Sequence, residues 1–260
     1  MNAGQKVIFI TGAASGIGRE TALLFAKRGW KLGAVDLDEP GLGRLADEIG
    51  RDLCWTARLD VRDLAAWREA VAAFGAWTGG RMDALFNCAG IMRMGPFEQV
   101  PIEQHVRTVE VNVLGVLHGI SACFDLLKAT PGAHIVTMGS ASGVYGAPDL
   151  SSYSASKFFV RGLTEALYIE LERYGIVVSD LMPLYVDTPM VRTQTYRAGS
   201  LHTFGAKLTP RQIAEIVWKA VHGRKVHWMP GALLKTLNYL GDVLPFISKP
   251  TMKMVDRRKG

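Results

Sequence analysis

The chain has 260 residues, 48% hydrophobic and 21% charged, with a formal net charge of +6. This is ordinary globular composition with ample core, at a length that α/β folds often fill as one domain. Three scattered cysteines (Cys54, Cys88, Cys123) form no metal-ligand spacing, and an odd, sparse set argues against a disulfide framework and for reduced thiols in the cytoplasm.

The polar start, Met1 to Lys6, does not read as a signal peptide. No stretch reaches the ~18 uninterrupted apolar residues of a membrane span. Runs apolar on both faces predict buried parallel strands at 6–11 (KVIFIT), 31–36 (KLGAVD), 55–61, 84–87, 134–138 and 176–182. Between them, apolar residues at three- and four-residue spacing predict helices at 17–28, 41–49, 64–77, 102–127 and 154–174. A helix at 211–222 and a last strand at 226–229 complete the pattern. Repeated βα alternation implies a single-domain, Rossmann-type doubly wound parallel sheet with helices on both faces. No internal linker, repeat or low-complexity segment interrupts it.

Thr11-Gly12-Ala13-Ala14-Ser15-Gly16-Ile17-Gly18 follows the first strand and opens the first helix. Gly12 allows a tight turn, Gly16 lets backbone approach a pyrophosphate, and Gly18 permits close packing of the helix on the sheet. The unpaired N–H groups and positive dipole end of that helix then face the phosphates. Asp36, closing the second strand, can accept hydrogen bonds from the adenosine ribose hydroxyls and would repel the extra phosphate of NADP. NAD is therefore expected over NADP. Arg19 is the one nearby cation that could favour NADP, although solvation of a helix face explains it equally well.

Tyr153 and Lys157 lie four apart, so on a helix both point from one face. A tyrosine with a reference pKa of ~10 is a poor base and needs a neighbouring cation to stabilise its phenolate. Lys157 supplies that charge and can also hold a nicotinamide ribose. Ser140, at the end of a predicted strand, can hydrogen-bond a substrate oxygen.

From residue 6 to about residue 188, these motifs resemble the short-chain dehydrogenase/reductase family. The resemblance adds Asn112 to Ser140, Tyr153 and Lys157 as the fourth catalytic member, its backbone kinking a helix and extending a proton relay from Lys157. It implies cofactor contacts from Ser15, Ile17, Asp60 and Val61, the latter two at the end of the third strand beside adenine. It also implies contacts from Asn87, Ala89 and Gly90, where Cys88 replaces the family's second Asn and loses its amide hydrogen bonds. After the sixth strand the family usually has Pro-Gly, whereas this chain has Pro183-Leu184-Tyr185, followed by Val186 and Thr188 at positions expected to contact the carboxamide. An oxidoreductase acting on an alcohol or ketone is implied, built as a homodimer or homotetramer on the helices at 102–127 and 154–174. The competing readings are an NADPH-dependent carbonyl reductase and a cofactor-binding regulatory protein without turnover.

Substrate contacts are expected at the carboxyl edge of the sheet: Ile91, Met92 and Met94, then Ser142, Val144 and Tyr145, then Leu184, Tyr185 and the substrate-loop region 184–208. The set is mostly apolar with adaptable methionines and favours a small apolar alcohol or ketone. Ordinary core packing explains several of these methionines nearly as well, and Arg93, Arg192 and Arg197 could instead reach an anionic group. At 231–244 a leucine stripe fits core or subunit packing, a substrate lid or an interfacial membrane helix. Lys249, Lys253, Arg257, Arg258 and Lys259 follow it as a basic tail. A solvated tail is the base-rate reading over a weak membrane-surface contact, and no nucleic-acid partner is expected.

Overall fold

The computed structural model describes residues 4–231. The leucine stripe and basic tail, from residue 232 onward, lie outside them. Seven parallel strands form one sheet in the order β3-β2-β1-β4-β5-β6-β7. They are β1 (Val7–Thr11), β2 (Lys31–Asp36), β3 (Cys54–Arg58), β4 (Ala84–Asn87), β5 (His134–Met138), β6 (Val177–Leu181) and β7 (His227–Trp228). The helices are α1 (Gly16–Lys27), α2 (Glu39–Ile49), α3 (Leu64–Thr78), α4 (Ile102–Val109), α5 (Gly115–Ala129), α6 (Ser151–Glu170), α7 (Pro189–Arg192), α8 (Gly199–Phe204) and α9 (Pro210–Ala220). The expected doubly wound architecture is present.

Strand alternation divides the core into two layers. Ile8 and Ile10 of β1 face one layer with Leu24 and Phe25 of α1 and Val217 of α9. Val7 and Phe9 face the other with Trp67 and Phe74 of α3 and Leu127 of α5. Phe9, Trp67 and Phe74 have no exposed surface, and each such burial contributes roughly 1.5–3 kcal/mol or more. Because both layers are covered, the strands carry apolar residues on both sides, which is why they read as continuous hydrophobic runs.

Three elements differ from the sequence expectation. The third strand ends at Arg58, so Asp60 and Val61 lie in the loop beyond it rather than at its end. Leu59 and Val61 are nevertheless buried, which is what the apolar run reported. The single helix expected at 102–127 is broken by a π turn, Glu110–Leu114. Finally, the 184–208 region contains α7 and α8, too short to show a helical period.

By length and composition the helical run 102–129 could cross a membrane, which counting uninterrupted apolar residues had not revealed. In this fold it carries the buried Asn112 and packs against α3 and α6.

Candidate active site

β1 pairs with both β2 and β4, so the chain reverses its winding between β1 and β4. Loops leaving the carboxyl ends of these strands diverge there and open a cleft. The cleft has a volume of about 320 Å³, and it runs from Asp36 past Gly12 and Gly16 to Tyr153 and Leu184.

The glycine loop is pinned at several points. Ala13 N–H donates to Val35 O at 3.2 Å. Ala14 N–H donates to Asp36 Oδ2 at 3.0 Å, and Asp38 N–H to Asp36 Oδ1 at 3.1 Å. Thr11 Oγ1 accepts from both Cys88 N–H and Ala89 N–H at 3.0 Å, which ties the loop after β4 to the end of β1. Gly12 has φ +68° and backs onto Ala89, where a Cβ would come within 3.0 Å of backbone. A Cβ at Gly18 would stand 2.1 Å from Gly12 O. The loop therefore leaves a bare backbone cradle at the start of α1, which suits a pyrophosphate. Asp36 lines the same cleft, while Arg19 is drawn away into ion pairs with Glu48 and Glu20. The residues present thus fit a dinucleotide, and Arg19 is already engaged.

At the other end, Ser140 follows β5 and Tyr153 stands in the first turn of α6. The Ser140 side chain accepts from Ser142 N–H at 3.2 Å and, like Tyr153, lines the cleft. Burial pushes Tyr153 up to about 12, and the neighbouring Ser140 hydroxyl opposes that rise. Lys157 is 5% exposed. Its Nζ donates to Met138 O at 2.6 Å and lies 5.4 Å from the centre of the Tyr153 ring. Burial pulls Lys157 down to about 8. The expected depression of Tyr153 by Lys157 is thus a correction: burial is the largest influence on the phenol, and Ser140 rather than Lys157 is the group that lowers it.

Of the site residues named from sequence, all line the cleft except Asn87, Met94, Asn112 and Val144. Asn87 is 3% exposed, beneath the floor, and its Nδ2 has no partner among the described residues. Met94 is a correction. It is 2% exposed and packs with Leu150, Ala198 and Leu201 under α8, as an ordinary core methionine does. Val144 likewise falls outside the lining. Asn112 sits in the π turn, where Oδ1 accepts from Ile91 N–H and Nδ2 donates to Ile91 O, each at 2.9 Å. Nδ2 also donates to Ser156 Oγ at 3.1 Å. Its side chain therefore clamps the loop after β4 to α6, and it reaches none of the other three catalytic candidates.

Some contributors were missed from sequence. Gln194 Nε2 donates to Met92 O at 3.0 Å and to Met190 O at 2.9 Å, while Oε1 accepts from Met94 N–H at 3.0 Å, strapping the substrate-loop region over the cleft. Tyr185 and Ser200 share a hydrogen bond of 2.7 Å within the lining. No local signal marks either contact, since each joins residues far apart or in irregular backbone. Of the arginines that might reach an anion, Arg192 is paired with Asp187 at 2.7 Å, and none of Arg93, Arg192 and Arg197 lines the cleft. The cleft wall near Tyr153 is instead formed by Met92, Tyr145, Leu184, Tyr185 and Met190.

The family model for short chain dehydrogenase matches residues 6–198. The chain is 34% identical over 194 residues to the trans-4-hydroxycyclohexanecarboxylate dehydrogenase of Sinomonas cyclohexanicum, covering 72% of this chain and 74% of the relative. It is 32% identical over 217 residues to the cyclohexanol dehydrogenase of an Acinetobacter species (strain SE19), covering 82% and 86%. Among solved structures it superimposes with a TM-score of 0.83 on a short chain dehydrogenase/reductase from Burkholderia phymatum in complex with NAD. That match has 28% identity and covers 95% of this chain and 96% of the other.

Proposed function

The chain belongs to the short-chain dehydrogenase family and is an oxidoreductase, and from that premise we propose that it moves a hydride between NAD and a hydrophobic secondary alcohol or its ketone, with Tyr153 carrying the hydroxyl proton. One observation carries the reading: Ser140, Tyr153 and Lys157 share a cleft with the glycine loop and Asp36. The names of the two relatives specify secondary alcohols on six-membered rings, and the apolar wall beside Tyr153 supports extending that class to this chain.

Bound along the cleft, the dinucleotide supplies the nicotinamide that takes hydride from a carbinol carbon or returns it to a ketone. Gly12, Ser15, Gly16, Ile17 and Gly18 would hold its pyrophosphate side, Asp36 its adenosine ribose, and Lys157 its second ribose. Asp60, Val61, Ala89 and Gly90 would flank it, and Pro183, Val186 and Thr188 would serve its carboxamide end. Ser140 orients the substrate oxygen while Tyr153 gives or takes its proton. Because burial holds Tyr153 protonated, the resting site is ready to donate to a ketone. Alcohol oxidation needs the phenolate, so its rate is expected to rise with pH until Lys157 loses its charge.

The test is NADH absorbance with cyclic and aromatic secondary alcohols against sugars and short hydroxy acids. Higher kcat/KM on the apolar ring alcohols is expected, because a polyol would leave hydroxyls without partners against this wall. Preference for the hydroxy acids would overturn the substrate class. Tight NAD binding without turnover on any alcohol or ketone would favour the regulatory reading.

NAD is expected to bind more tightly than NADP, and Asp36→Ala to narrow that gap chiefly by improving NADP. Calorimetric titration of both forms checks this, and tighter NADP binding to the unaltered protein would make it an NADPH-dependent carbonyl reductase.

The protein is further proposed to form a homodimer or homotetramer. Ile102 (63% exposed), Val106 and Val109 on α4, with Phe158 and Ile169 (73% exposed) on α6, leave apolar surface uncovered on the helices expected to assemble. A monomer by light scattering at micromolar concentration would refute it. The cytoplasm is the proposed compartment, consistent with three free thiols.

A further inference from the structure

Outside the cleft lies a buried carboxylate that the chemistry above does not use. Asp180 of β6 is 0% exposed. Its Oδ1 is 2.9 Å from His227 Nδ1 on β7, and His227 Nε2 is 3.1 Å from Glu165 Oε1 on α6. Arg161 Nε donates to the same Glu165 oxygen at 2.9 Å. Asp180 Oδ2 has no hydrogen-bond partner among the described residues. An imidazole facing carboxylate oxygens with both nitrogens donates to both only as the imidazolium. Burial works against that charge, but the hydrogen bond and charge of Asp180 and the charge of Glu165 raise His227 above its ordinary value.

The placement of this array brings it to Lys157. Val178 faces the α5 layer and Leu181 the opposite one, so alternation turns Asp180 toward the helices of the α5 layer. On α6, Lys157, Arg161 and Glu165 follow at four-residue spacing and share one side of the helix. Lys157 is anchored on Met138 O. Met138 pairs with Leu181, and Thr137 with Asp180, in the ladder between β5 and β6. The carboxylate is thus one strand and one residue from the carbonyl that holds the ammonium.

We propose that Asp180, oriented by His227, is the counter-charge that keeps the buried Lys157 protonated, and so is a positioning residue for cofactor binding and proton transfer. The inference rests on the role given to Lys157 above. Burial pulls Lys157 down, and charges on Cys88 and Asp180 oppose it. The Cys88 thiol is itself pushed up to about 12 by burial, so it is uncharged at neutral pH. Burial raises Asp180 as well, and the hydrogen bond and charge of His227 and the charge of Arg161 oppose that rise, so it is with these partners that Asp180 is assigned as the anion. The charged groups facing Asp180 are His227 from β7 and Lys157, Arg161 and Glu165 from α6. β5 presents the neutral Thr137, and α9, on the other layer, turns Ile213 and Val217 to the sheet.

The experiment is NAD affinity of the full chain, by calorimetry, from about pH 6 to about pH 10, where a buried lysine titrates. Affinity should fall as Lys157 loses its proton. In Asp180→Asn the midpoint of that fall should move down by on the order of one pH unit, the usual size of a lost opposite charge. The hydrogen bond from His227 can still be accepted there, so a merely structural role would leave the midpoint in place. Circular dichroism confirms the fold, and Asp180→Ser carries the same expectation. An unmoved midpoint in a folded variant overturns the proposal while leaving the functional reading intact, provided Tyr153→Phe is inactive. Activity in Tyr153→Phe would instead remove that reading itself. Failure of both Asp180 variants to fold would place Asp180 among the determinants of the fold and also overturn the proposal.

Discussion

Tyr153→Phe is expected to lower turnover by about 10²–10⁴-fold, the usual contribution of a positioned acid or base, with NAD affinity unchanged. The substitution removes one oxygen, the proposed proton carrier. The ring itself packs with the cluster of Met92, Leu150 and Ala198 and keeps those contacts as phenylalanine. Lys157 keeps its anchor on Met138 O, so the ribose side of the site is untouched. The loss should therefore appear in kcat, measured by NADH absorbance, and not in the calorimetric affinity for NAD. Substantial remaining turnover would mean that another group carries the proton.

Gly18→Ala is expected to abolish measurable NAD binding. A Cβ there would sit 2.1 Å from Gly12 O and 2.8 Å from Gly12 C, closer than real contacts allow. The loop cannot yield easily, because Ala13 and Ala14 are tied to the end of β2 and Gly12 backs onto Ala89. Helix α1 must therefore shift, together with Leu24 and Phe25, which are buried against the sheet. Overpacking of this kind costs typically about 1–3 kcal/mol, and the displaced N-terminus no longer aims its N–H groups at the phosphates. Thermal unfolding and NAD titration should both register the change. Gly43→Ala is the control: no atom lies within 4 Å of its added Cβ, and it sits inside α2. Replacing glycine by alanine in a helix interior stabilises by about 1 kcal/mol. Equal NAD affinity in Gly18→Ala and the unaltered chain would show that the cofactor does not use this cradle.

Much of the site was legible because its parts are local. The turn at Gly12, the helix start at Gly18, the acid closing β2 and the four-residue step from Tyr153 to Lys157 each depend on neighbours a few residues away. Asn112 was legible only through family resemblance. Its actual bonds, to Ile91 and Ser156, lie 21 and 44 residues away. The π turn around it left no trace in the apolar spacing, since one extra residue in a turn hardly disturbs it; only the resemblance implied a kink there. Met92 and Met94 look alike in sequence, two apart after β4. Both join the buried cluster with Leu150, Ala198 and Leu201, but only Met92 also reaches the cleft.

The sequence by itself determined the sheet, its two covered faces and the glycine cradle, and it singled out the candidate acid/base residues. Hydrophobic period and turn chemistry are properties of adjacent residues and survive in one dimension. Only the tertiary structure decided the charge state of those residues, and for the opposite reason. Tyr153 stands high and Lys157 low because burial removes the water that would solvate their ions. Asp180 lay inside a run that reads as an apolar buried strand, and His227 comes 47 residues later in a strand of two residues. Their pairing exists because β6 and β7 are neighbours in the sheet. Electrostatic neighbours are set by the path of the whole chain, and a local pattern carries no record of it.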